Sequence, residues 1–388
     1  MAVKKPAVEQ QFYRLNQILA TKADYLMLLG ERSNGKSYAT KECILWEAYH
    51  ECDYEKYINS GAKVPKDRWQ FGYLRRWKEE TKTRDVEKYF ADMDIMALTD
   101  GEYDTVVAYR SDIYFGNFID DGKVERGKQI GSIFAVTSRT HYKSLSFLKI
   151  GNIVFEEFIT NTGYLPDEVG SLMDIVSTIA RRDYVRVFLI GNTISRLCPY
   201  FDEWQLTHVA KQKQGTVEIY KQPTEQIDEA TGEHVVVTIA VEYCANNSKN
   251  TKMFFGSKSN MITSGVWECE IHPHLQNSFK SYECKYKVYY EYSSFRYVIC
   301  LLRDENKNPF LYIYPAKNVS RETYCADNKI RRIITDQFTT EPYATPYLTA
   351  LTRYDNIIID LLLNEKLTFS DNLTGTEFYQ VKKERGRW

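Results

Sequence analysis

A chain of 388 residues with 43% hydrophobic and 27% charged side chains is long enough for two or three domains. Its composition is globular, not disordered. A formal net charge of −1 excludes a basic nucleic-acid coat, so any grip on nucleic acid has to come from local basic patches. The eight cysteines form no C-x-x-C pair, and the six histidines do not interleave with them at ligand spacing. Free thiols in a reducing compartment are the expectation. No signal-peptide run opens the chain and nowhere do about 18 apolar residues run together, so a cytoplasmic setting without a transmembrane helix is expected.

In chain order, "YLMLL" (25–29) reads as a buried strand leading into a glycine loop, and "SYATKECILWEAYH" has the length and apolar spacing of a helix. "QFGYLRR" (70–76) is a second strand, ending in basic residues. Between Met96 and Val136, short alternating segments with turns at "TDGEYD" and "DDGK" predict one or two β-hairpins inserted into or flanking the sheet. "GNIVFEEF" (151–158) predicts a buried strand, "PDEVGSLMDIVSTIARR" (166–182) a helix, and "YVRVFLIGN" (184–192) another buried strand. Such alternation predicts an α/β fold with a mostly parallel sheet. "TVEIYKQ" and "VVVTIAVEYC" flank a polar turn and look like a late hairpin closing a first domain, residues 1–245. A connector rich in Asn, Ser, Lys and Gly follows at 246–282. Aromatic strands about a "DENKNP" turn then open a smaller α+β domain, 283–388, in which "ATPYLTALTRYDNIIIDLLLNEKL" predicts a helix or two. The one charge-run tail is "QVKKERGRW".

The chemistry begins at Gly30-Glu31-Arg32-Ser33-Asn34-Gly35-Lys36-Ser37, which fits the Walker A pattern G-x-x-x-x-G-K-[ST] between a strand and a helix. Glycines let backbone N–H groups curl around phosphates, and the helix N-terminus adds a favourable dipole. Lys36 would reach the β- and γ-phosphates of ATP, and the Ser37 hydroxyl would ligate Mg2+. The Walker B acid on the metal side is expected at the end of an apolar strand. Ile153-Val154-Phe155-Glu156-Glu157 supplies Glu156 there, a position where Asp is commoner. Glu157 would polarise the attacking water.

A glutamate directly after the strand acid, with no N-K-x-D sequence, favours an additional-strand, catalytic-glutamate (RecA-like) P-loop ATPase over nucleotide kinases and GTPases. In such folds a polar residue at the tip of the next strand senses the γ-phosphate, and Asn192 and Thr193 both stand there. These ATPases commonly work as rings in which a neighbour's arginine completes the site. Arg181 and Arg182 close the helix before that strand. An arginine pair at a helix C-terminus is equally what dipole complementation produces.

Taken together, "GERSNGKSYATK", "FGYLRRWKEE", "NIVFEEFI…YLPDEVGSLMDIV" and "VFLIGNTISRLCPYF" resemble, in order and spacing, the DNA-packaging (encapsidation) ATPases of short-tailed phages of Gram-positive hosts. Those proteins are distant relatives of large terminases. The likeness spans about residues 20–205 and is most specific at Arg32, at Leu74-Arg75-Arg76-Trp77-Lys78 and at Pro199-Tyr200-Phe201. It implies a homo-oligomeric ring, a pentamer, docked at the portal of an empty procapsid in the host cytoplasm and driving double-stranded DNA inward. A packaging RNA or accessory protein is a further candidate partner. The resemblance implies that Arg76 and Lys78 face DNA in the pore, with Arg75 turned toward nucleotide. It also implies a C-terminal RNase H-like domain, here a degenerate nuclease, since Glu291 and Asp304 lie near strands without a tight acidic cluster.

Two other readings of the same residues are a P-loop small-molecule kinase and a nucleotide-gated assembly ATPase or helicase of the same fold. A kinase would be indifferent to DNA, and an assembly protein that does not hydrolyse ATP would not depend on Glu157.

Overall fold

The computed structural model describes residues 13–31, 34–119, 122–160, 163–181, 183–193, 198–227, 231–244 and 270–386. The chain divides into two compact units, one running to Thr193 and resuming over Pro199–Val266, the other built mainly from Trp267–Trp388. The expected connector lies outside the described residues as far as residue 269.

The first unit holds strands β1 (Tyr25–Gly30), β2 (Gln70–Arg75), β3 (Thr105–Tyr109), β4 (Asp112–Phe118), β5 (Val124–Ala135), β6 (Ile150–Glu156), β7 (Arg186–Asn192), β8 (Thr216–Ile227) and β9 (His234–Tyr243). Its α-helices are α1 (Asn16–Ala20), α2 (Lys36–His50), α3 (Tyr54–Ser60), α4 (Thr83–Phe90), α5 (Ile95–Leu98), α6 (Glu168–Ala180) and α7 (Pro199–Glu203). Among the described residues the strands form one sheet in the order β3-β4-β5-β2-β6-β7-β1-β9-β8. From β5 to β9 the neighbours run parallel. The hairpins expected from turn residues form the two antiparallel edges, β3-β4-β5 and β9-β8. The fold is thus mixed α/β about a large, mostly parallel sheet.

Parallel interior strands are covered on both faces, so they need continuous apolar runs instead of alternation. "LMLL", "NIVF" and "VFLI" meet that requirement, and every residue of β6 is buried. Ala39, Cys43, Ile44 and Ala48 of α2 share one core with Leu26, Leu28, Phe71, Val154, Phe188 and Ile190 of the central strands. Helix α2 starts after Gly35 at φ +96° and stops at Glu51, whose φ of +55° turns its N–H back onto the Glu47 carbonyl.

Glu47 also lies in the core, wholly buried. It accepts hydrogen bonds from Arg186 (2.9 Å), Lys66 (2.6 Å), Asn152 (2.6 Å) and the Tyr54 amide (3.2 Å). Arg186 is closed on its other side by Asn152 Oδ1 at 3.0 Å. This one cluster ties α2, the start of α3 and the loop at Lys66 to β6 and β7.

In the second unit β10 (Glu283–Tyr292), β11 (Phe295–Arg303), β12 (Pro309–Pro315), β13 (Arg332–Thr335), β14 (Ala344–Thr345) and β15 (Leu367–Phe369) pair in the order β14-β13-β10-β11-β12-β15. The first three form an antiparallel meander, while β13 and β14 run parallel beside β10. Helices α8 (Arg321–Asp327), α9 (Arg353–Leu363) and α10 (Asn372–Arg385) accompany them. The stretch read as a helix or two contains α9 alone among the described residues. The charge-run tail is largely the last turns of α10, which the sequence reading missed. Its start carries Thr374 and Gly375, weak helix formers. The Asp371 cap on the Thr374 amide (2.8 Å) and the buried Phe378 and Val381 hold it.

Burial alone would raise the Glu47 pKa, but the Arg186 and Lys66 charges and the hydrogen bonds from Lys66 and Asn152 outweigh it and hold the pKa down to about 2. That stabilisation is present above the ordinary value of 4.5 and is lost as pH falls toward 2. Glu47→Gln is expected to destabilise the fold by about 3–5 kcal/mol at neutral pH. In denaturant unfolding curves, the gap to the parent should narrow as pH falls from 4.5 to 2.

Candidate active site

The glycine loop leaves β1 at Gly30, whose φ is +156° and where an added Cβ would lie 2.7 Å from Asn34 Nδ2. Only glycine fits that approach. Asn34 is buried, and its side-chain oxygen accepts from the Lys36 amide at 3.1 Å, fixing the turn into α2. Tyr13 braces the loop from outside: its amide donates to Asn34 O at 3.2 Å and its hydroxyl to Glu242 Oε2 at 2.7 Å. Glu31 is buried beside it and accepts from Gln214 at 3.4 Å. Arg32 and Ser33 lie outside the described residues.

Lys36 is buried and folds back over its own loop. Its Nζ donates to Glu31 O (2.8 Å), Gly30 O (3.4 Å) and Asn192 Oδ1 (2.8 Å). Asn192 reaches it because Gly30 of β1 and Asn192 of β7 are register partners. Of the two polar residues at that tip, Asn192 turns its side chain to the lysine, whereas Thr193 is buried and its amide bonds Gly30 O at 3.1 Å.

The acids leave β6 on the same side. Glu156 is buried and receives the Tyr89 hydroxyl at 2.5 Å, with Ser37 close by on the same cleft. Burial raises its pKa against these contacts and the nearby Lys36 and Arg75 charges. Glu157 differs: its carboxylate is mostly exposed and paired with Arg75 at 2.8 Å, and its backbone sits at φ +58°. Arg75 also meets Glu80 at 3.3 Å. A cleft of about 340 Å³ is lined by Asn34 to Tyr38, Lys41, Asp92, Glu156, Glu157 and Ile190 to Asn192.

Sequence reasoning missed Lys41, Tyr89 and Asp92. Lys41 donates to Tyr89 O at 2.8 Å, pairs with Asp92 and lies 4.9 Å from the Tyr89 ring centroid. Lys41 could have been found, since it follows Ser37 by four residues on one face of α2. Tyr89 of α4 reaches Glu156 and Asp92, just beyond α4, lines the cleft, and neither carries a local signal.

One basic residue stands elsewhere than the resemblance implies. Arg76 is 5% exposed, clasped by Glu168 at 2.7 Å and turned away from solvent, so it is not a DNA contact. A buried, paired guanidinium has no face left for a phosphate. Lys78 is exposed, beside an exposed Trp77. Arg181 caps α6 and donates to Leu145 O at 2.7 Å, while Arg68 takes the Ile179 and Ala180 carbonyls at 2.8 and 3.2 Å. That is the end where β2 and β6 begin, opposite the cleft. Arg182 lies outside the described residues.

A buried-strand glycine loop facing two acids across one cleft is the layout of a phosphate-handling α/β protein. Residues 8–231 match the Podovirus DNA encapsidation protein (Gp16) family, and the chain belongs to it. The DNA packaging proteins of Bacillus phages phi29 and PZA are each 29% identical over 194 residues, 49% of this chain and 49% of theirs. The chain therefore aligns with about half the length of the curated relatives it matches. Among solved structures, the phi29 viral genome packaging motor assembly covers 97% of this chain and all of its own at 19% identity and a TM-score of 0.48. The crystallised N-terminal domain of the phi29 DNA packaging ATPase covers 53% of this chain and 92% of its own at 26% identity and a TM-score of 0.39.

Burial lifts the Glu242 pKa to about 7 against the lowering bond from Tyr13. Its carboxyl is therefore compatible with the fold below its ordinary value of 4.5 and costs stability as pH rises through 7. Glu242→Gln keeps an acceptor for Tyr13 without the charge. Its stability by denaturant unfolding should match the parent at about pH 4 and exceed it by up to about 3 kcal/mol at about pH 8.

Proposed function

We propose that the chain is the ATP-hydrolysing subunit of a ring motor that drives double-stranded DNA into a preformed procapsid through its portal. The observation that carries this reading is the strand order β6-β7-β1. The strand bearing Asn192 lies between the glycine-loop strand and the acid strand, the arrangement of an additional-strand P-loop ATPase. Phosphate oxygens of ATP would replace the loop carbonyls now held by Lys36. The Ser37 side chain and the Glu156 carboxylate line the same cleft. They are adjacent hard oxygen donors and fit Mg2+, which takes one or two protein ligands and fills its shell with phosphate and water. The ion would neutralise charge on the transferred phosphate.

Glu157, on the rim of the cleft, is the carboxylate to orient and deprotonate the attacking water once it parts from Arg75. Arg75 stands where a guanidinium meets either that carboxylate or a phosphate. Arg181 lies outside its own cleft, as a residue that completes a neighbour's site in a ring, a pentamer by family likeness, must; Arg182 is its alternative. A packaging RNA or accessory protein remains in this proposal as a partner of the assembled ring at the portal. Among the described residues no helix is long and apolar enough to cross a membrane.

For the second unit we infer a degenerate RNase H-like domain. A three-strand meander with two further parallel strands added beside the first has that fold's strand order. Glu291 of β10 and Thr335 of β13 are register partners where acids would have to converge. Instead Glu291 is bound by Arg296 (2.8 Å) and Arg321 (2.7 Å). Asp304 caps a turn through the Asn308 amide at 2.7 Å. Among the described residues no three acidic, His or Cys side chains converge on a metal position.

Steady-state ATP hydrolysis with and without long duplex DNA tests the reading. Duplex is expected to stimulate turnover, and Glu157→Gln to lower kcat by about 10²–10⁴-fold while nucleotide still binds. Hydrolysis indifferent to DNA, even with procapsid present, would remove the motor claim. Lys78→Ala should weaken duplex binding for all sequences alike and reduce its salt slope by about one.

A further inference from the structure

Glu157 occupies an uncommon backbone state. Its φ of +58° is left-handed, a conformation unfavourable for a side chain with a Cβ unless the surroundings impose it. Arg76 supplies the imposing contacts. Its NH1 donates to Glu157 O at 3.1 Å and its NH2 to Phe158 O at 2.7 Å, so one guanidinium takes two consecutive carbonyls. The remaining geometry fixes the guanidinium itself. Glu168 accepts from Arg76 Nε at 2.7 Å and NH2 at 2.9 Å, and also receives the Tyr200 hydroxyl and the Leu165 amide, each at 3.0 Å. The Phe155 and Tyr164 rings lie 5.7 and 5.2 Å away. The arginine, one residue past β2, is thus held by the start of α6, with α7 behind it.

We propose that Arg76 is a positioning residue for Glu157. It holds the carbonyls of residues 157 and 158 so that the Glu157 carboxylate leaves the sheet at the cleft rim, and the Glu168–Tyr200 pair keeps it there. This rests on the reading of Glu157 as the carboxylate that activates water. It replaces the DNA contact that the family resemblance implied for Arg76. Lysine at the same place keeps the charge but has no planar fork to take two carbonyls at once.

The test is single-turnover and steady-state ATP hydrolysis by the full chain carrying Arg76→Lys, Tyr200→Phe, Glu157→Gln or Arg76→Lys with Glu157→Gln. Arg76→Lys is expected to lower kcat about 10- to 100-fold, the scale of a misplaced catalytic group, with nucleotide Kd, duplex DNA affinity and Tm within error of the parent. Added to Glu157→Gln it should cost nothing further, because it acts through that side chain. Parent-like kcat in Arg76→Lys overturns the proposal, as does a loss of duplex affinity at unchanged kcat. If Arg76→Lys lowers Tm or nucleotide affinity, Tyr200→Phe decides: a fall in kcat at parent Tm supports the proposal, and none overturns it. Full activity in Glu157→Gln would instead remove the reading of Glu157, a failure separable from that of Arg76.

Discussion

The site depends on the register of three buried parallel strands. Gly30 of β1 lies opposite Asn192 of β7, and Glu156 of β6 lies opposite Ile190, two residues earlier on β7. The glycine loop, the amide and the acid pair therefore leave the sheet at nearly one level, at the carboxyl ends of the strands where open α/β sheets hold ligands. A slip of one residue would turn each strand's faces inside out. The apolar runs that build the core thus also set the distances between chemical groups. Helix α2 then directs its first amides into the same crevice.

Around that frame the chain buries charge at sites that join distant segments. Glu47 with Arg186 and Lys66, Arg76 with Glu168, and Glu291 with Arg296 and Arg321 are each closed by further hydrogen bonds. Pairs of this kind add little net stability, because desolvation offsets most of the attraction. What they contribute is geometry, since removing one partner strands the other in a medium that cannot solvate it. In the second unit the same device surrounds the Glu291 carboxylate. Guanidinium groups supply the positive charge beside Glu291.

Arg75 and Arg76 show how far adjacent identical residues can diverge. Arg75 is the last residue of β2, and successive side chains along a strand point to opposite faces. One guanidinium therefore meets the Glu157 carboxylate at the cleft rim, and the other turns inward to Glu168 and the backbone of residues 157 and 158. A run of basic residues after a strand reads equally well as a DNA-facing patch.

Much of the first unit was readable from one dimension. The strands at 25–30, 70–75, 150–156 and 186–192, the helices after the glycine loop and before β7, and both edge hairpins follow from apolar runs, periodicity and turn residues. The glycine loop is legible for the same reason: its chemistry is confined to eight consecutive residues and acts through the local backbone. Helix α10 was not readable at its start, where Thr374 and Gly375 are weak helix formers and the Asp371 cap and buried Phe378 hold the turn. Tyr89 and Asp92 beside the acids, the inward turn of Arg76 and the arginines on Glu291 were also invisible. Sequence determined most of the first unit's strands and the place of the glycine-loop pattern, since both are local properties of the chain. Tertiary structure alone decided which charges are buried and what they hold, because partners such as Arg76 and Glu168, or Glu47 and Arg186, are brought together only by packing across many residues of chain.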